Sequence, residues 1–344
     1  MNILWILFFP LRKLPTGGVT SAIASARYRA IIPAMNLAKY HHVNILTIEH
    51  NSEIDQAQLL KEVDVVIVSK SYFKVVESFA EYATGKGVPV IFDVCDDHFS
   101  SPEHRSHYMN MCRLSAATVA STKTICDVIE KNTGKLARLI SDPYEMPKGT
   151  PHFKAKKNLS LLWYGHSSNI VSLAHFFPQL RLLEGEFQIS LKVVTAIVPA
   201  IENELSMITA GQSKSMEVEV IPWSLDKMAD HFAWADIVII PTLDDQQRIV
   251  KSPNRLFEAM WSGCYVVAGV IPSYQDFSKW AWVNNDLISG IRQAMKNPKK
   301  INKKIAKAQK YIANNHSPEI IANHWQSLLE NVIKNSVLTK GEIT

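Results

Sequence analysis

The sequence predicts two α/β domains in tandem, each built on a parallel β-sheet. The chain has 344 residues, which is more than one hydrophobic core usually organises. Short apolar runs alternate with longer helical patterns, as expected of successive strand–helix–strand units. The alternation breaks at 141–157, where Pro143, Pro147 and Pro151 stand among several lysines. A proline-rich break of this kind predicts a connection between domains.

The strands of the first half are predicted from continuous β-branched runs, because runs without polar alternation are typical of strands covered on both faces. These runs lie at 3–9, 43–48, 63–69, 88–93 and 117–120. Helical patterns separate them at 21–39, 71–84 and 123–132.

The second half repeats this architecture. Its strands are predicted at 159–164, 189–194, 218–221, 237–240 and 265–268. Its helical patterns lie at 172–183, 226–234, 254–262, 286–296, 300–314 and 318–334. Two such domains facing each other would leave a cleft at the carboxyl ends of their strands, where open α/β sheets bind ligands. We therefore expect the functional residues directly after strands.

Composition and charge favour a globular cytoplasmic protein. Apolar residues make up 47% of the chain and charged residues 20%, and the net charge of +5 favours anionic partners such as nucleotide phosphates. The four cysteines form neither a C-x-x-C pair nor a disulfide framework, which argues against a zinc site and for a reducing compartment. The apolar run at 3–9 is too short to span a bilayer, and its basic residues follow it, so it predicts a buried strand rather than a signal peptide.

The most informative motif is KSPNRLFEAMWSGCYVVA at 251–268, which predicts a loop, a helix, a glycine turn and a buried strand. Ser252 or Asn254 is expected to cap the helix, with Pro253 in its first turn. Gly263 is expected to end the helix in a left-handed turn.

Three charged residues of this motif suggest a nucleotide site. Lys251 and Arg255 stand beside the positive end of the predicted helix, which makes a candidate phosphate site. Glu258 follows one turn later, where a carboxylate can accept both hydroxyls of a ribose. A capped helix with Glu258 as an ordinary surface residue is the alternative, but the apolar neighbours of Glu258 favour a function.

The motif resembles the donor-binding region of GT-B glycosyltransferases, in particular family 4 and its relatives. Those proteins have a glutamate, an alanine, a turn of small residues with glycine, and a Pro-Val-Val-Ala-Ser-like strand; here EAMWSGCYVVA at 258–268 matches, with Cys264-Tyr265 in place of the usual small residue and proline. The resemblance implies that Glu258 binds the nucleotide ribose, and that Lys251, Ser252, Asn254 and Arg255 belong to the donor site. One departure is Val250, which stands where many members have a second glutamate.

The resemblance covers nearly the whole chain and implies further donor-binding residues. Gly17-Gly18 matches a glycine loop that approaches the donor phosphates, although a plain turn is the alternative. His166 and Ser167 stand where the family often has an arginine and a lysine for the pyrophosphate, so Lys251 and Arg255 would carry more of the electrostatic work. Trp223 follows a strand where relatives place the base-binding loop, but an aromatic residue of the core explains it equally well.

The acceptor side is assigned to the first half. Arg27 and Arg29 resemble a serine-arginine segment of relatives and are expected to bind the acceptor, or else to be exposed helix residues. Asp97 and His98 close the fourth strand and are the candidate catalytic groups, with capping of the following turn as the alternative. The D-x-D metal motif of the GT-A fold is rejected, because the two-domain pattern is GT-B-like, and no metal is expected.

The resemblance also implies the domain layout: an acceptor domain at 1–145, a linker at 146–157, a nucleotide-sugar domain at 158–318, and a C-terminal helix at 319–344 that packs back on the first domain. Seven lysines at 296–310 indicate either a solvated outer helix, which is the simpler interpretation, or contact with a membrane surface. No motif suggests nucleic-acid binding.

The sequence therefore predicts a metal-independent glycosyltransferase of GT-B fold that moves a sugar from a nucleotide diphosphate to a saccharide or glycolipid acceptor. Retention of configuration and a role in bacterial surface polysaccharide assembly follow from the family resemblance alone. A sugar-nucleotide epimerase of the same fold and a non-catalytic nucleotide-sugar-binding protein are the alternatives. A nicotinamide-dependent dehydrogenase is disfavoured, since neither half opens with G-x-G-x-x-G.

Overall fold

The computed structural model describes residues 1–14, 17–50 and 52–341 and divides the chain into two compact units. Unit 1 contains Met1–Glu145, Val250–Ser252 and Asn315–Thr344, and unit 2 contains Met146–Ile249 and Pro253–Asn314. Residues 146–157, expected as a linker, thus pack with unit 2, whereas residues 250–252 pack with unit 1 rather than with the second domain.

Unit 1 is built on a parallel six-stranded sheet. Its strands are β1 (Asn2–Leu7), β4 (His42–Thr47), β5 (Val65–Ser69), β6 (Val90–Val94), β7 (Ala117–Ala120) and β8 (Arg138–Leu139), while β2 (Arg12–Lys13) and β3 (Val19–Thr20) form a separate antiparallel hairpin. The sheet order is β4-β1-β5-β6-β7-β8. When the six strands are counted along the chain, this order is 2-1-3-4-5-6, a doubly wound arrangement.

Helices cover both faces of this sheet. They span Ala24–Ala26, Arg27–Ile31 as a π-helical turn, Ile32–Leu37, Gln56–Leu60, Lys74–Gly85, Arg105–Leu114, Lys123–Thr133 and Pro318–Gly341. The side chains of β1 alternate between two buried clusters, with Leu4 and Ile6 on one face and Trp5 on the other. Trp325 of the C-terminal helix packs edge-on against Trp5, with ring centroids 4.9 Å apart. Burial on both faces explains why these strands have continuous apolar sequences.

Unit 2 contains a second parallel six-stranded sheet. Its strands are β9 (Asn158–Tyr164), β10 (Gln188–Thr195), β11 (Met216–Pro222), β12 (Ile237–Ile240), β13 (Tyr265–Ala268) and β14 (Trp282–Val283), in the order β11-β10-β9-β12-β13-β14. Counted along the chain this order is 3-2-1-4-5-6, and the winding reverses between β9 and β12. The prediction of two α/β units with parallel sheets is confirmed.

The helices of unit 2 connect these strands, except for the last two, which follow β14. They span Ile170–Leu180, Glu202–Ala210, Met228–Trp234, Gln246–Ile249, Asn254–Trp261, Pro272–Gln275, Leu287–Lys296 and Pro298–His316, with 3-10 turns at Ser167–Asn169, Arg181–Leu183, Pro199–Ile201 and Leu225–Lys227. Helix Asn254–Trp261 leads through Gly263, whose φ is +93°, into β13, as the sequence predicts.

Candidate functional site

The helix Asn254–Trp261 begins differently from the prediction. Pro253 is its N-cap residue, and no side chain caps the helix by a hydrogen bond. The Asn254 side chain accepts instead from the adjacent amide of Arg255, at 2.7 Å. The Ser252 hydroxyl donates to Asp142 in unit 1, at 2.5 Å. The expected cap by Ser252 or Asn254 is therefore wrong, because both side chains have other partners.

Arg255 has an unusual environment for a charged residue. Its guanidinium carbon lies 5.2 Å from the Trp163 ring centroid and 5.5 Å from that of Tyr164. It packs against Gly165, where an added Cβ would lie 3.1 Å from the guanidinium carbon. The Nε and Nη2 atoms are buried and find no hydrogen-bond partner among the described residues.

The electrostatics of this group suit an anion. Burial lowers the pKa of Arg255, and the neighbouring Tyr274 and Tyr164 hydroxyls offset only part of that effect. An arginine nevertheless stays protonated at neutral pH. A buried cation with unsatisfied N–H groups is costly, so an anion that accepts hydrogen bonds there would be bound favourably.

Arg255 lies at the place where an open α/β sheet usually binds its ligand. Gly165 directly follows β9, and the strand order of unit 2 reverses between β9 and β12. Ligands of doubly wound sheets bind outside the carboxyl ends of the strands at such a reversal. The Tyr164 hydroxyl donates to the Arg255 carbonyl at 2.7 Å, which holds the start of helix Asn254–Trp261 against the end of β9.

Glu258 is buried on the same helix, one turn after Arg255. Only 2% of the residue is exposed. Its Oε2 atom accepts a hydrogen bond from the backbone amide of Met146, at 3.2 Å. The structure thus brings Arg255 and Glu258 together on one helix, and Glu258 is a buried carboxylate rather than a surface residue.

The loop after β9 carries the predicted His166 and Ser167. His166 is exposed, and its Nδ1 atom accepts from the Ser168 amide at 3.2 Å. Ser167 begins the short 3-10 turn that leads into helix Ile170–Leu180. Trp223 is half-buried directly after β11, and its amide donates to the Thr195 carbonyl at 2.9 Å. All three residues belong to unit 2, and their proposed contacts with the donor remain predictions.

Lys251 does not share the surroundings of Arg255. It pairs with Asp96 of unit 1, whose other carboxylate oxygen lies 2.8 Å from the Lys70 ammonium group. Burial alone would raise the pKa of Asp96, but the charges of Lys70 and Lys251 outweigh burial and hold that pKa well below its ordinary value. The predicted cluster at 251–258 is therefore divided, with Lys251 and Ser252 in unit 1 and Asn254, Arg255 and Glu258 in unit 2.

Arg27 and Arg29 are buried and form ion pairs, so they are not the exposed helix residues of the alternative interpretation. Arg29 is 2% exposed and donates to Asp93 at 2.6 Å, to Asp142 at 3.0 Å and to the Ile140 carbonyl at 2.7 Å. Arg27 is 3% exposed and donates to Glu145 at 2.8 Å. Carboxylates of the chain itself pair with both guanidinium groups, and the acceptor role of Arg27 and Arg29 stays a prediction.

Asp97 and His98, the two candidate catalytic residues, each make contacts within unit 1. Asp97 accepts from the Phe99 amide at 3.0 Å, which is the turn-capping alternative. His98 packs among aromatic rings, with Tyr72 at 4.9 Å and Tyr108 at 5.1 Å between ring centroids. Burial lowers the pKa of His98 to about 4, so the imidazole is neutral at pH 7. A catalytic role for either residue stays a prediction.

Gly17 and Gly18 lie at the exposed end of the β2–β3 hairpin in unit 1. Both have positive φ angles, of +84° and +83°. The Gly17 amide donates to the Leu14 carbonyl at 3.0 Å. The predicted approach to donor phosphates stays a prediction.

One charged residue at this edge of the unit 2 sheet escaped the sequence analysis. Arg248 pairs with Asp245 and donates to the Ser168 carbonyl at 3.2 Å, and its Nε is buried without a partner in the described ranges. Nothing in the sequence pattern singles it out, because it lies in a short helix, Gln246–Ile249, with no motif. It brings a second guanidinium to the loop that follows β9.

The described residues contain neither a metal-binding cluster nor a membrane-spanning helix. Within the ranges the structure describes, no three His, Cys, Asp or Glu side chains are grouped as metal ligands are. No described helix combines the length and the hydrophobicity that crossing a bilayer requires.

Comparisons with known proteins identify the fold. No protein-family model matches the sequence, and no curated protein matches it in sequence. Among solved structures, the Anabaena protein HepE, in complex with UDP and glucose, superposes with a TM-score of 0.68 over 96% of this chain and 99% of its own, at 14% identity. A glycosyltransferase from Rickettsia africae gives 0.69 over 97% and 99%, also at 14% identity. An α,α-trehalose-phosphate synthase from Burkholderia vietnamiensis gives 0.66 over 96% and 97%, at 11% identity.

The chain has the GT-B fold. The fold predicted from the residues at 258–268 is thereby confirmed. In GT-B terms, unit 2 is the half that carries the predicted donor-binding motif, and Arg255 and Glu258 are the motif residues that the structure brings together.

Proposed function

We propose that this chain is a glycosyltransferase that moves a sugar from a nucleotide diphosphate to an acceptor hydroxyl. The observation that carries the proposal is Arg255, at the carboxyl end of β9, whose buried Nε and Nη2 atoms have no hydrogen-bond partner among the described residues. Its position at the strand reversal of a GT-B unit is where a donor diphosphate would be bound.

Arg255 would act on the leaving group. As the glycosidic bond breaks, the nucleoside diphosphate gains negative charge at its terminal phosphate. A preorganised guanidinium in a site with little water stabilises that charge more than it stabilises the intact donor. His166 and Ser167, in the loop after β9, would add hydrogen bonds without adding charge.

Glu258 would hold the nucleoside. A buried carboxylate can accept hydrogen bonds from both ribose hydroxyls, and Glu258 lies one helical turn from the proposed phosphate position. Trp223, half-buried after β11, would stack on the base. These assignments keep the donor contacts within unit 2.

UDP-sugars are the first donors to test. HepE has been solved with UDP and with UDP-glucose, and the trehalose-phosphate synthase is described as UDP-forming. We extend this to the present chain as a proposal only, since identities of 14% and 11% indicate the fold and leave the base and the sugar open.

The test is a calorimetric and thermal-shift screen of the protein against UDP-, GDP-, ADP- and dTDP-sugars, with and without EDTA, beside the variant Glu258→Ala. We expect one nucleotide to bind saturably and independently of EDTA. We expect the Glu258→Ala variant to lose this binding. Absence of binding to all four, or binding that Glu258→Ala leaves intact, would remove the assigned site. Product analysis then separates a transferase from an epimerase, which changes the donor sugar without an acceptor, and from a binding protein, which turns nothing over.

The finer parts of the proposal concern mechanism and setting. We propose transfer without a metal and with retention of configuration, to a saccharide or glycolipid acceptor in surface polysaccharide assembly. Anomeric analysis of the product by NMR tests retention, and loss of activity in EDTA would contradict metal independence.

We also propose contact with an anionic membrane surface. Six exposed lysines lie at the end of helix Leu287–Lys296 and along helix Pro298–His316, and none pairs with a carboxylate among the described residues. They are Lys296, Lys299, Lys300, Lys303, Lys307 and Lys310. Clusters of this size bind anionic lipid by electrostatic attraction. Sedimentation with phosphatidylglycerol vesicles but not with phosphatidylcholine vesicles is expected, and equal behaviour with both would leave the solvated-helix interpretation.

A further inference from the structure

The segment that enters unit 2 lies along the helix that carries Glu258. The Met146 amide donates to Glu258 Oε2 at 3.2 Å, and the Met146 carbonyl accepts from the Trp261 indole N–H at 2.8 Å. The Gly149 amide donates to the Trp261 carbonyl at 3.0 Å. One short stretch of backbone, residues 146–149, is thus fixed to both the carboxylate and the end of the helix.

A buried glutamine holds the same stretch from the other side. Gln309 is 3% exposed, and its Nε2 donates to the Gly149 carbonyl at 2.8 Å and to the Trp261 carbonyl at 2.9 Å. The packing is tight as well, since an added Cβ at Gly149 would lie 2.0 Å from the Ser262 carbonyl oxygen. The segment cannot slide along the helix without breaking these contacts.

These contacts determine where the Glu258 carboxylate points. The bond from Met146 holds the Oε2 atom of Glu258 towards residues 146–149 and so restricts the rotamers open to the carboxylate. A buried acceptor held in one orientation discriminates strongly between ligands that can and cannot donate to it, because an unmatched buried carboxylate is costly.

We propose that Trp261 and Gln309 are positioning residues that act through residues 146–149 to hold Glu258 for a ribose, and that the site therefore selects ribonucleotides over 2′-deoxyribonucleotides. This inference rests on the proposed function, in which Glu258 binds the ribose. Neither Trp261 nor Gln309 needs to touch the nucleotide, so their effect must appear as a loss of sugar discrimination rather than as a general loss of binding.

The experiment measures the ratio of two affinities by calorimetry: that for the best-binding nucleoside diphosphate among UDP, GDP and ADP, and that for its 2′-deoxy counterpart. We expect the wild-type protein to prefer the ribonucleotide by about tenfold or more. Glu258→Gln should reduce the preference to near unity. Trp261→Phe, which removes only the indole N–H and part of the ring, and Gln309→Met, which removes the amide, should each reduce it by about threefold or more.

Trp282→Phe is the matched control. The Trp282 indole also donates to a backbone carbonyl within unit 2, that of Asp286 at 2.9 Å, so the same chemical change is made away from residues 146–149. We expect this variant to keep the wild-type ratio. Thermal unfolding of every variant identifies any that has lost its fold, and the two positioning variants report independently.

The outcomes separate the two hypotheses. If the wild-type protein binds no nucleoside diphosphate, or Glu258→Gln keeps full discrimination, the proposed function loses its site. A different result would show that only the positioning role is wrong. In it, Glu258→Gln loses the preference for the ribonucleotide, whereas Trp261→Phe and Gln309→Met either lower the affinity for both nucleotides equally or leave both affinities unchanged.

Discussion

Each unit has a helical arginine with buried guanidinium nitrogens, and the two arginines stand in opposite surroundings. Arg29 of unit 1 donates to two carboxylates, Asp93 and Asp142, and to a backbone carbonyl. Arg255 of unit 2 stacks on aromatic rings and leaves Nε and Nη2 without a partner in the described part of the chain. The first arginine neutralises charges that the chain itself buries, whereas the second has donor groups for which we propose an anionic ligand.

The sheets show how similar frameworks reach these different results. Both are doubly wound, with the orders 2-1-3-4-5-6 in unit 1 and 3-2-1-4-5-6 in unit 2. In unit 1, the Trp5 indole donates to Ser69, and Ser69 donates to Asp93, each at 2.9 Å, so protein groups fill this part of the sheet. In unit 2, Gly165 has no side chain, and the guanidinium of Arg255 occupies that space. Both doubly wound sheets have a position where a ligand can bind. The side chains at that position determine whether it is filled by the protein core or left for a ligand.

Replacing each arginine with methionine should affect stability in unit 1 and nucleotide binding in unit 2. Arg29→Met leaves Asp93 and Asp142 buried without their cation, and removing one side of a buried ion pair costs about 3–5 kcal/mol of unfolding free energy. Arg255→Met removes a desolvated charge but keeps an apolar side chain on the rings, so stability should stay within about 1.5 kcal/mol of wild type. Its nucleoside diphosphate affinity should fall by about tenfold or more.

Denaturant unfolding and calorimetry on the same preparations measure both quantities. Arg292→Met is the control, because Arg292 forms an exposed pair with Glu186, and such pairs contribute at most about 1 kcal/mol. A variant Arg255→Met as unstable as Arg29→Met would mean that Arg255 is a structural residue, and the contrast between the units would disappear.

One glycine in each unit follows the end of a helix with a positive φ angle, and the two differ in the space around them. Gly134 follows helix Lys123–Thr133 in unit 1 with φ +68°, and nothing lies within 4 Å of an added Cβ. Gly263 follows helix Asn254–Trp261 in unit 2 with φ +93°, and an added Cβ would lie 2.3 Å from the Thr150 carbonyl oxygen. Gly134→Ala should cost about 1 kcal/mol from the left-handed backbone alone. Gly263→Ala should cost about 3 kcal/mol, because overpacking is added.

Chemical denaturation of both variants checks this difference. Equal costs would indicate that residues 146–150 yield easily to a side chain at Gly263, and would weaken the view that this segment is firmly seated on unit 2. A third alanine variant, Gly17→Ala, serves as a reference for a hairpin glycine, since no atom of the described residues lies within 4 Å of a Cβ added there.

The fold followed from the sequence where burial dictates it. The predicted strands at 117–120, 237–240 and 265–268 match the observed strands to the residue, because these apolar runs are buried or nearly buried along their whole length. Helix Arg105–Leu114 was missed, since it buries His107 and Tyr108, which a hydropathy pattern does not count as core. The short edge strands β8 and β14 carry too few residues to give a signal.

The site was only partly predictable, because a sequence pattern names residues and not their partners. Glu258 and Arg255 were found through a local motif, and the structure places them on one helix. Arg27 and Arg29 were assigned to the acceptor from the resemblance alone. Their ion pairs could not be predicted, because the partners are distant in sequence, with Asp93 64 residues and Asp142 113 residues from Arg29. The prolines at 141–157 suggested a free linker, although Gly149 and Gln309 fasten it to unit 2.

A smaller effect is expected from pH at Asp96, a carboxylate of unit 1 that pairs with Lys251. Asp96 lies between Lys70 and Lys251, whose charges outweigh burial and keep the pKa of Asp96 below its ordinary value. A carboxyl group with a depressed pKa in the folded protein contributes stability above its unfolded value of about 3.9, and that contribution is lost as the pH falls towards the folded pKa.

We therefore expect Asp96→Asn to lower the unfolding free energy at pH 7 by about 1–2 kcal/mol, since Lys70 is left half-buried without its partner. The variant should also lose less stability than wild type between about pH 5 and pH 2, because it lacks the titrating group. Urea unfolding across this range measures both effects, with Asp127→Asn as control for an exposed pair on one helix. Parallel pH profiles for Asp96→Asn and wild type would show that the two lysines do not hold Asp96 ionised. In that case the charge of Asp96 would not be neutralised as its hydrogen bonds indicate. Arg29 alone would then represent the paired charges of unit 1, in contrast to Arg255 of unit 2, whose Nε and Nη2 have no partner among the described residues.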